Sequence, residues 1–529
     1  MVIQTLVKAG QYYDSVTLLQ AAQALLALDG VEDAAVVMGT PANRGILENA
    51  DLLTEQAAAA SADDLVIAVR ATSEESALGA IAHAEEVLSE RAAPEAGPSD
   101  APRPRTIAAA TRQLEDANLA LVSVAGQYAA DVAREALLRD LHVFLFSDNV
   151  SVEDEIELKT MGRERGLLVM GPDAGTAIVN GKALGFANAI LTTPPAEGGV
   201  GIVAASGTGL QAVSTSLAQH GVGITQAIGT GGRDLSAQVG GIMMVEAVKA
   251  LAADPATRVL LLVSKPPAPE VAEAVLETVR ACDKPAVVCF LGGKKDPIEA
   301  AGGIPATTLE RAALIAGALA TGRDPDDALA AVRRRNRTLK NQARELRAKL
   351  NKNQRYYRGL FSGGTFCYET QLILAKMLGK GKVKSNAPLA KGLLLASSNV
   401  SEGHTVVDLG EDEFTQGRLH PMIDPALRNR RLVHEARDPN TAIVYIDVVL
   451  GYGVHPNPAG AAVEAVYEAR DRLKKKREVL FLAHVCGTNT DPQDASRQVD
   501  ILRQAGVIVM DSNAAAARLA GYILKQRSA

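Results

Sequence analysis

Residues 201–211 read GIVAASGTGLQ: a β-type apolar run, then Ser206, Gly207, Thr208 and Gly209, then a helical pattern. A turn of this form leaves the first amides of a helix unpaired, and the helix dipole adds partial positive charge there. Glycine lets a ligand approach the backbone, and the hydroxyls add donors. FSGGTFCYE at 361–369 repeats the device with Ser362, Gly363, Gly364 and Thr365, and LGYGVHPNPAG at 450–460 does so with Gly451, Tyr452, Gly453 and Asn457. A fourth loop, GTGGRDL at 229–235, carries Gly231, Gly232, Arg233 and Asp234. None ends in the GK[ST] of a Walker A loop. Ala204, two residues before Ser206, breaks the GxSxG pattern of a nucleophilic serine. One such turn is usually only a tight connection; three in related units favour an anion cradle.

Other polar residues are candidates for acid, base or clamp. His404 in SEGHTVVDLGEDE and His455 in GYGVHPNPAG lie near strand ends and suit proton transfer near neutrality; the plain alternative is a histidine satisfied by a loop carbonyl. His420 and His484 are weaker candidates, and His83, His142 and His220 read as structural. Glu402, Asp408, Glu411, Asp412 and Glu413 surround His404. Hard cations take such oxygen ligands, but a solvated acidic loop is the simpler reading, and no metal is expected. Arg418, Arg428, Arg430 and Arg431 could clamp a dicarboxylate-like substrate or form salt bridges. Lys265, with Arg233 and Lys294 or Lys295, would add charge around the cradle.

The elements needed to position these residues can be read from the pattern. The chain has 529 residues, only 3% aromatics and no Trp, the palette of several α/β layers rather than an aromatic-rich all-β fold. A net charge of −6 gives no reason to expect nucleic acid. Four scattered Cys without CxxC spacing fit reduced cytoplasmic thiols, and no apolar run approaches the ~20 residues of a membrane span. Residues 1–91 predict a small ferredoxin-like α+β domain, and AAPEAGPSDAPRPR (92–105) a linker. Continuous apolar runs alternating with helices from 106 predict doubly wound Rossmann- or flavodoxin-like parallel sheets in two units, 106–194 and 195–330. Residues 331–357 read as a solvated, charged linker helix, and 358–529 as a last α/β domain.

GLLVMGPDAGTAIV, GGVGIVAASGTGLQAV and AIGTGGRDL, in that order, resemble the α-subunit of succinyl-CoA synthetase and related NDP-forming acyl-CoA ligases. HTVVDLGEDE, AIVYIDVVLGYGVHPNPAG and GVIVMDSNAAAARLAG resemble the C-terminal domain of the β-subunit. Fusion of these parts in one chain is characteristic of the FdrA family, which the sequence resembles over roughly residues 105–529; the N-terminal domain also fits that family. By this resemblance 106–194 is CoA-binding-like and 195–330 ligase-like, and Asp173 in GPDAG buttresses the domain junction. The departures matter. KPAVVCFLGGKKDPIEAAGG (284–303) has no histidine where the synthetase carries its phosphohistidine, and Lys265 aligns with the supporting glutamate. The glycine loop of the CoA-binding half is missing from 106–130, and no ATP-grasp region is visible.

The resemblance therefore implies carbamoyl transfer between oxalurate and phosphate, giving oxamate and carbamoyl phosphate in purine breakdown. The anion turns would hold phosphate or carbamoyl phosphate and oppose the oxyanion. Implied partners are these small molecules and companion subunits of an oligomeric complex, with no membrane. No cofactor is required; CoA and Mg²⁺ fit the family but nothing in the residues calls for them. The alternatives are an acyl-CoA synthetase-like ligase and a non-catalytic scaffold that binds an anion.

Overall fold

The computed structural model describes residues 2–11, 13, 15–26, 28–92, 104–190, 198–415, 418–473 and 477–525. The linker expected at 92–105 falls almost wholly outside them. Contacts divide the chain into two units, residues 1–103 with 412–419, and 104–411 with 420–529.

In the first unit, β1 (Val2–Lys8), α1 (Ser15–Leu26), β2 (Val31–Met38), α2 (Pro41–Asn49), α3 (Glu55–Ala58), β3 (Leu65–Ala71) and α4 (Glu74–Ala92) form a small α+β fold. Its antiparallel sheet has the order β1-β3-β2. Leu18 and Leu25 of α1 and Ala77 and Ile81 of α4 pack on Val36, Ile67 and Val69. The other face is covered as well, with Leu47 and Leu52 packing on Val37, Val66 and Ala68, so β3 is buried on both faces.

The second unit begins with α5 (Ile107–Gln113), β4 (Leu119–Val122), α6 (Gly126–Leu137), β5 (His142–Leu145), α7 (Val152–Arg165) and β6 (Val169–Met170), a three-stranded parallel sheet. The hairpin β7 (Thr176–Val179) and β8 (Lys182–Gly185) lies within the stretch read as that first Rossmann-like unit, but it joins the next sheet. The division between the sheets thus falls after Met170 rather than near 194, because Ile178 pairs with Ala227.

That next sheet continues with β9 (Gly199–Ala204), α8 (Gly207–Gln219), β10 (Ile224–Gly229), α9 (Ile242–Ala253), β11 (Thr257–Ser264), α10 (Pro269–Arg280), β12 (Ala286–Phe290), α11 (Asp296–Ala300), β13 (Ile304–Pro305) and α12 (Leu309–Ala320). Its order is β13-β12-β11-β9-β10-β7-β8. α13 (Pro325–Ala348) follows. It is less solvated than its charge suggested: Leu329, Val332, Leu339 and Ala343 are buried, and the helix packs on α12 and the last helix of the chain.

The last sheet comprises β14 (Tyr356–Phe361), α14 (Gly364–Leu378), β15 (Val383–Ser385), β16 (His404–Asp408), α15 (Asp412–Thr415, in the first unit), α16 (Ala426–Arg437), β17 (Thr441–Val449), α17 (Pro458–Asp471), β18 (Leu480–Cys486), α18 (Ala495–Gln504), β19 (Ile508–Met510) and α19 (Asn513–Leu524). All its pairings are parallel, in the order β15-β16-β14-β17-β18-β19. β9, β17 and β18 are buried along their whole length, as parallel strands covered on both faces must be. One apolar core spans both large sheets, with Leu210 and Val213 of α8 and Phe366 and Leu374 of α14 joining Ile202, Leu261, Tyr445 and Leu482. No helix among the described residues is long and apolar enough to cross a membrane.

Candidate functional site

The strand orders decide where a cleft can form. β9 lies between β10 and β11, and the chain crosses from one side of it to the other after α9; β14 lies likewise between β16 and β17. Each is a switch point, where helices leave in opposite directions and a crevice opens at the carboxyl ends of the strands. α8 starts from the first switch point and α14 from the second.

These two helix starts meet. The Ser206 hydroxyl caps α8 by accepting from the Gly209 amide at 2.9 Å and lies in hydrogen-bond contact with the Thr365 hydroxyl on α14. A Cβ on Gly363 would sit 2.7 Å from the Thr208 methyl and 2.9 Å from the Phe366 ring, so only glycine permits this approach. Gly209 is equally confined, with Ser206 and Val263 at 2.7 and 3.1 Å from its Cβ position. The sequence-predicted turns at 205–211 and 361–369 therefore come together. Not all their donors are free, however. Asp447, fully buried on β17, accepts the Ser362 and Gly363 amides at 2.7 Å each. Those two amides are thereby taken, and the first-turn amides left at these helix starts are those of Gly207, Thr208, Gly364 and Thr365.

Several side chains surround the meeting point. Lys265 follows β11, lies over the Tyr368 ring at 5.9 Å and places Nζ 3.7 Å from the Cβ position of Gly364. Asp408 ends β16 against the same glycine, whose Cβ would overlap Asp408 Oδ2. Burial, helped by Glu411 and Asp447, pushes the Asp408 carboxyl up to about 7, against the pull of Lys265. The buried Thr176 hydroxyl lies 3.9 Å from the Gly207 Cβ position and has no hydrogen-bond partner. The hydroxyls of Thr230 and Ser264, at the ends of the two strands flanking β9, are also buried without partners. Buried hydroxyls usually find partners, and of these three Thr176 lies beside the start of α8.

His420, which the sequence ranked low, belongs here. Its Nε2 is 2.9 Å from the Cβ position of Gly410, where Asp408 Oδ1 is 3.3 Å away, and its ring packs on Phe186 at 6.0 Å. Burial lowers its pKa to about 4, leaving a neutral imidazole. Only the HP turn in GRLHPMID hinted at it, and nothing in that turn reveals which strand end it reaches.

Other predicted residues lie elsewhere. His404 opens β16 and so sits at its amino end, the opposite end from Asp408. There it accepts the Tyr357 amide at 3.2 Å and packs on Tyr356, and burial next to Arg358 lowers its pKa to about 4. Arg233 is held by Glu155 at 2.9 Å and the Val150 carbonyl at 2.8 Å, beside the buried Lys159–Asp234 pair. Gly231 packs on the backbone of Gly171 and Pro172, while Gly232 is open. Both sit in a loop that braces α7 rather than cradles a ligand.

The third turn faces another wall. Gly451 pairs through its amide and carbonyl with Gln493, the Tyr452 amide donates to Ala187, and Asn457 caps α17. The Cβ position of Gly453 lies 3.6 Å from the Phe186 ring, and Gln211 of α8 donates to the Phe186 and Leu450 carbonyls at 2.6 and 3.4 Å. His455 is half-buried, with Nδ1 accepting the Asn457 amide; burial lowers its pKa while Asp424 opposes.

The acidic cluster is dispersed. Glu402 pairs with Lys384 and Asp408 lies at the far end of β16. Among the described residues no three metal-ligating side chains come together. Arg428 is buried and donates to the Asp447 carbonyl at 2.8 Å, and Arg431 pairs with Glu435. Lys294 and Lys295 are exposed beside α11.

The matching family descriptions agree with the α/β architecture. Three family descriptions match: "AllF, heavy metal-associated domain" over residues 1–104, "CoA binding domain" over 196–292, and "CoA-ligase" over 360–523. The matched N-terminal stretch contains no cysteine. The CoA-binding match falls on the sheet that carries α8, which the sequence reading took as ligase-like. Among solved structures, PH0766 from Pyrococcus horikoshii OT3 is 14% identical, covering 81% of this chain and 87% of that one, with a TM-score of 0.33. The dinucleotide-forming acetyl-coenzyme A synthetase 1 of Ca. Korarchaeum cryptofilum, in complex with phosphate and ADP, is 13% identical over 78% and 83%, with a TM-score of 0.33. The uncharacterized protein YahF of Escherichia coli K12 is 43% identical over 514 residues, 97% of each chain. With that identity along nearly its whole length, the chain belongs to the YahF family, and it joins an AllF-type N-terminal domain to succinyl-CoA synthetase-like CoA-binding and CoA-ligase domains.

Proposed function

We propose that the chain is an FdrA-type subunit of an oxamate carbamoyltransferase, moving a carbamoyl group between oxalurate and phosphate. One observation carries this reading: the starts of α8 and α14 meet through Ser206 and Thr365, with Lys265 and the unpartnered Thr176 hydroxyl beside them. Such a cleft suits a tetrahedral phosphate and, during transfer, the oxyanion on the carbamoyl carbon. The loop at 284–303 carries no histidine where a synthetase would hold its phosphohistidine, so direct attack by phosphate accords with that loop. Catalysis would then be positioning plus charge stabilisation. The AllF-type match at 1–104 is consistent with a role in allantoin breakdown and with companion subunits. Four free thiols fit a reducing, cytoplasmic setting.

The test measures carbamoyl phosphate formed from oxalurate and phosphate by the chain alone and with its companions. Gly207→Glu and Lys265→Glu should each abolish it, the first by filling the anion position with a carboxylate and the second by reversing the local charge. Intact activity in both variants places the chemistry elsewhere. A second reading, an acyl-CoA ligase-like enzyme, is favoured by the CoA-binding match at 196–292. Tight CoA binding by titration with no carbamoyl phosphate formed would replace the first reading with this one.

A further inference from the structure

We propose that Asp408 is the proton-handling group of the cleft: it takes up a proton as a phosphate-class oxyanion settles between α8 and α14, then delivers it to the leaving group. The binding half stands on the geometry of the cleft; the delivery half rests on the carbamoyl transfer proposed above.

Two buried aspartates lie at this end of the last sheet, and they are held differently. Asp447 has an amide on each oxygen, from Ser362 and Gly363. Asp408 accepts the Gly410 amide on Oδ1 at 3.1 Å, and among the described residues its Oδ2 has no hydrogen-bond partner. That Oδ2 lies against Gly364, the first residue of α14, at the spot where a side chain would otherwise be. Lys265 Nζ approaches the same spot from β11. Asp408 thus presents one unused oxygen where the two helix starts and the lysine converge.

The charges facing Asp408 come from every element around it. Glu411 on its own loop and Asp447 on β17 repel its negative form, and Lys265 attracts it. Cys367 on α14 is kept as a thiol by burial, and His420 is kept neutral by burial, so neither adds charge. The carboxyl therefore titrates near neutrality rather than near 4. A bound oxyanion is a further negative charge beside it, which favours the protonated form. Once protonated, the carboxyl becomes a donor to an anion oxygen instead of a repelling neighbour.

The same proton fits the transfer. A phosphate oxygen bonds to the carbamoyl carbon of oxalurate, and the bond from that carbon to the oxamate nitrogen breaks. The nitrogen takes the Asp408 proton, giving neutral amide in oxamate. Hydrogen phosphate, now part of carbamoyl phosphate, loses its proton back to Asp408, so the group ends as it began and no other reactant is needed. Proton donation to a departing nitrogen is the step in which a positioned acid near neutral pKa is most effective.

The experiment uses inorganic sulfate, a tetrahedral anion without a titrating proton near neutrality, bound to the full chain in buffers of different ionisation enthalpy. At pH 8 the unaltered protein should take up a substantial fraction of a proton per sulfate, and its affinity should weaken by up to tenfold per pH unit above about 7. Asp408→Asn should bind sulfate with affinity constant within twofold across that range and with no proton uptake. Equal uptake in both proteins overturns the proposal. Should Asp408→Asn fail to fold, difference infrared spectra of the unaltered protein decide: sulfate at pH 8 must convert carboxylate absorption to protonated carboxyl absorption, and an unchanged spectrum overturns the proposal. Proton uptake without carbamoyl phosphate formation by the full assembly supports the binding half and overturns the carbamoyl chemistry. No sulfate binding at all removes the cleft and overturns both.

Discussion

Asp447 on β17 reaches across to β14 and accepts the amides of both Ser362 and Gly363 at 2.7 Å. This fully buried carboxylate fixes the turn that launches α14, and Arg428, itself buried, grips the Asp447 carbonyl and approaches the Ser362 hydroxyl at 3.4 Å. Burial raises the pKa of this carboxyl, while Arg428 and the two amides pull it down. Replacing Asp447 with Ala removes two charge-assisted hydrogen bonds and leaves buried donors unpaired, a loss of about 3–5 kcal/mol of folding stability. Asp447→Asn keeps one acceptor and should lose about half as much. Chemical denaturation of the two variants checks both values, and equal stability of Ala and Asn variants contradicts the role assigned to the second oxygen.

The contact between Gly363 and Thr208 predicts a steric probe of the cleft. A methyl at 363 meets the Thr208 methyl at 2.7 Å and the Phe366 ring at 2.9 Å, so Gly363→Ala must separate α8 from α14. Overpacking of this kind costs about 1–3 kcal/mol. Because it displaces the two helix-start turns from one another, sulfate affinity should fall about tenfold for each 1.4 kcal/mol of lost complementarity. Thr208→Ala in the same chain relieves the clash and should restore part of the loss; no rescue in that double variant means the two helices do not meet through these atoms.

Arg233 offers the converse case, a residue that looked like site chemistry and holds the fold. Its guanidinium pairs with Glu155, a buried carboxylate that also binds Lys159. Arg233→Ala is expected to lower stability by about 1–3 kcal/mol, since Glu155 loses a partner away from water. Sulfate affinity should stay within twofold of the unaltered protein. A tenfold loss of sulfate affinity with unchanged stability would return Arg233 to the ligand site.

The sequence made the strands, helices and glycine turns readable because each obeys a local rule. GIVA is buried as a parallel strand must be, and Ser206 caps the helix it precedes. The pairing of ASGTGLQ with FSGGTFCYE could be suspected from their likeness, but the meeting of Ser206 with Thr365 depends on two sheets sharing one core. What remained hidden was decided across the sheet. His404 and Asp408 are four residues apart, yet the strand between them puts one at each end, and a strand of five residues leaves no sign of which end faces the cleft. The same holds for Asp447, whose capping partners are 84 and 85 residues away. The β7–β8 hairpin was misassigned because an antiparallel partner, Ala227, lies beyond the next strand and helix.

Histidines and carboxyls withdrawn from water give the stability a characteristic pH dependence. His404, His420 and His484 have pKa values pushed down to about 4, chiefly by burial. Their unfolded values lie near 6.5. The unfolded chain therefore binds more protons between about 4 and 6.5, and stability present above 6.5 is lost as pH falls through that window. Each contributes up to about 2 kcal/mol between pH 6.5 and 5. Asp408 runs the other way: its raised value means stability falls as pH rises from near 4 towards 7. In unfolding measurements, Asp408→Asn should thus steepen the loss on acidification from pH 6.5 to 5, whereas His484→Leu should flatten it. If His484→Leu leaves the slope unchanged, that imidazole is charged in the folded protein and the burial argument for it is wrong.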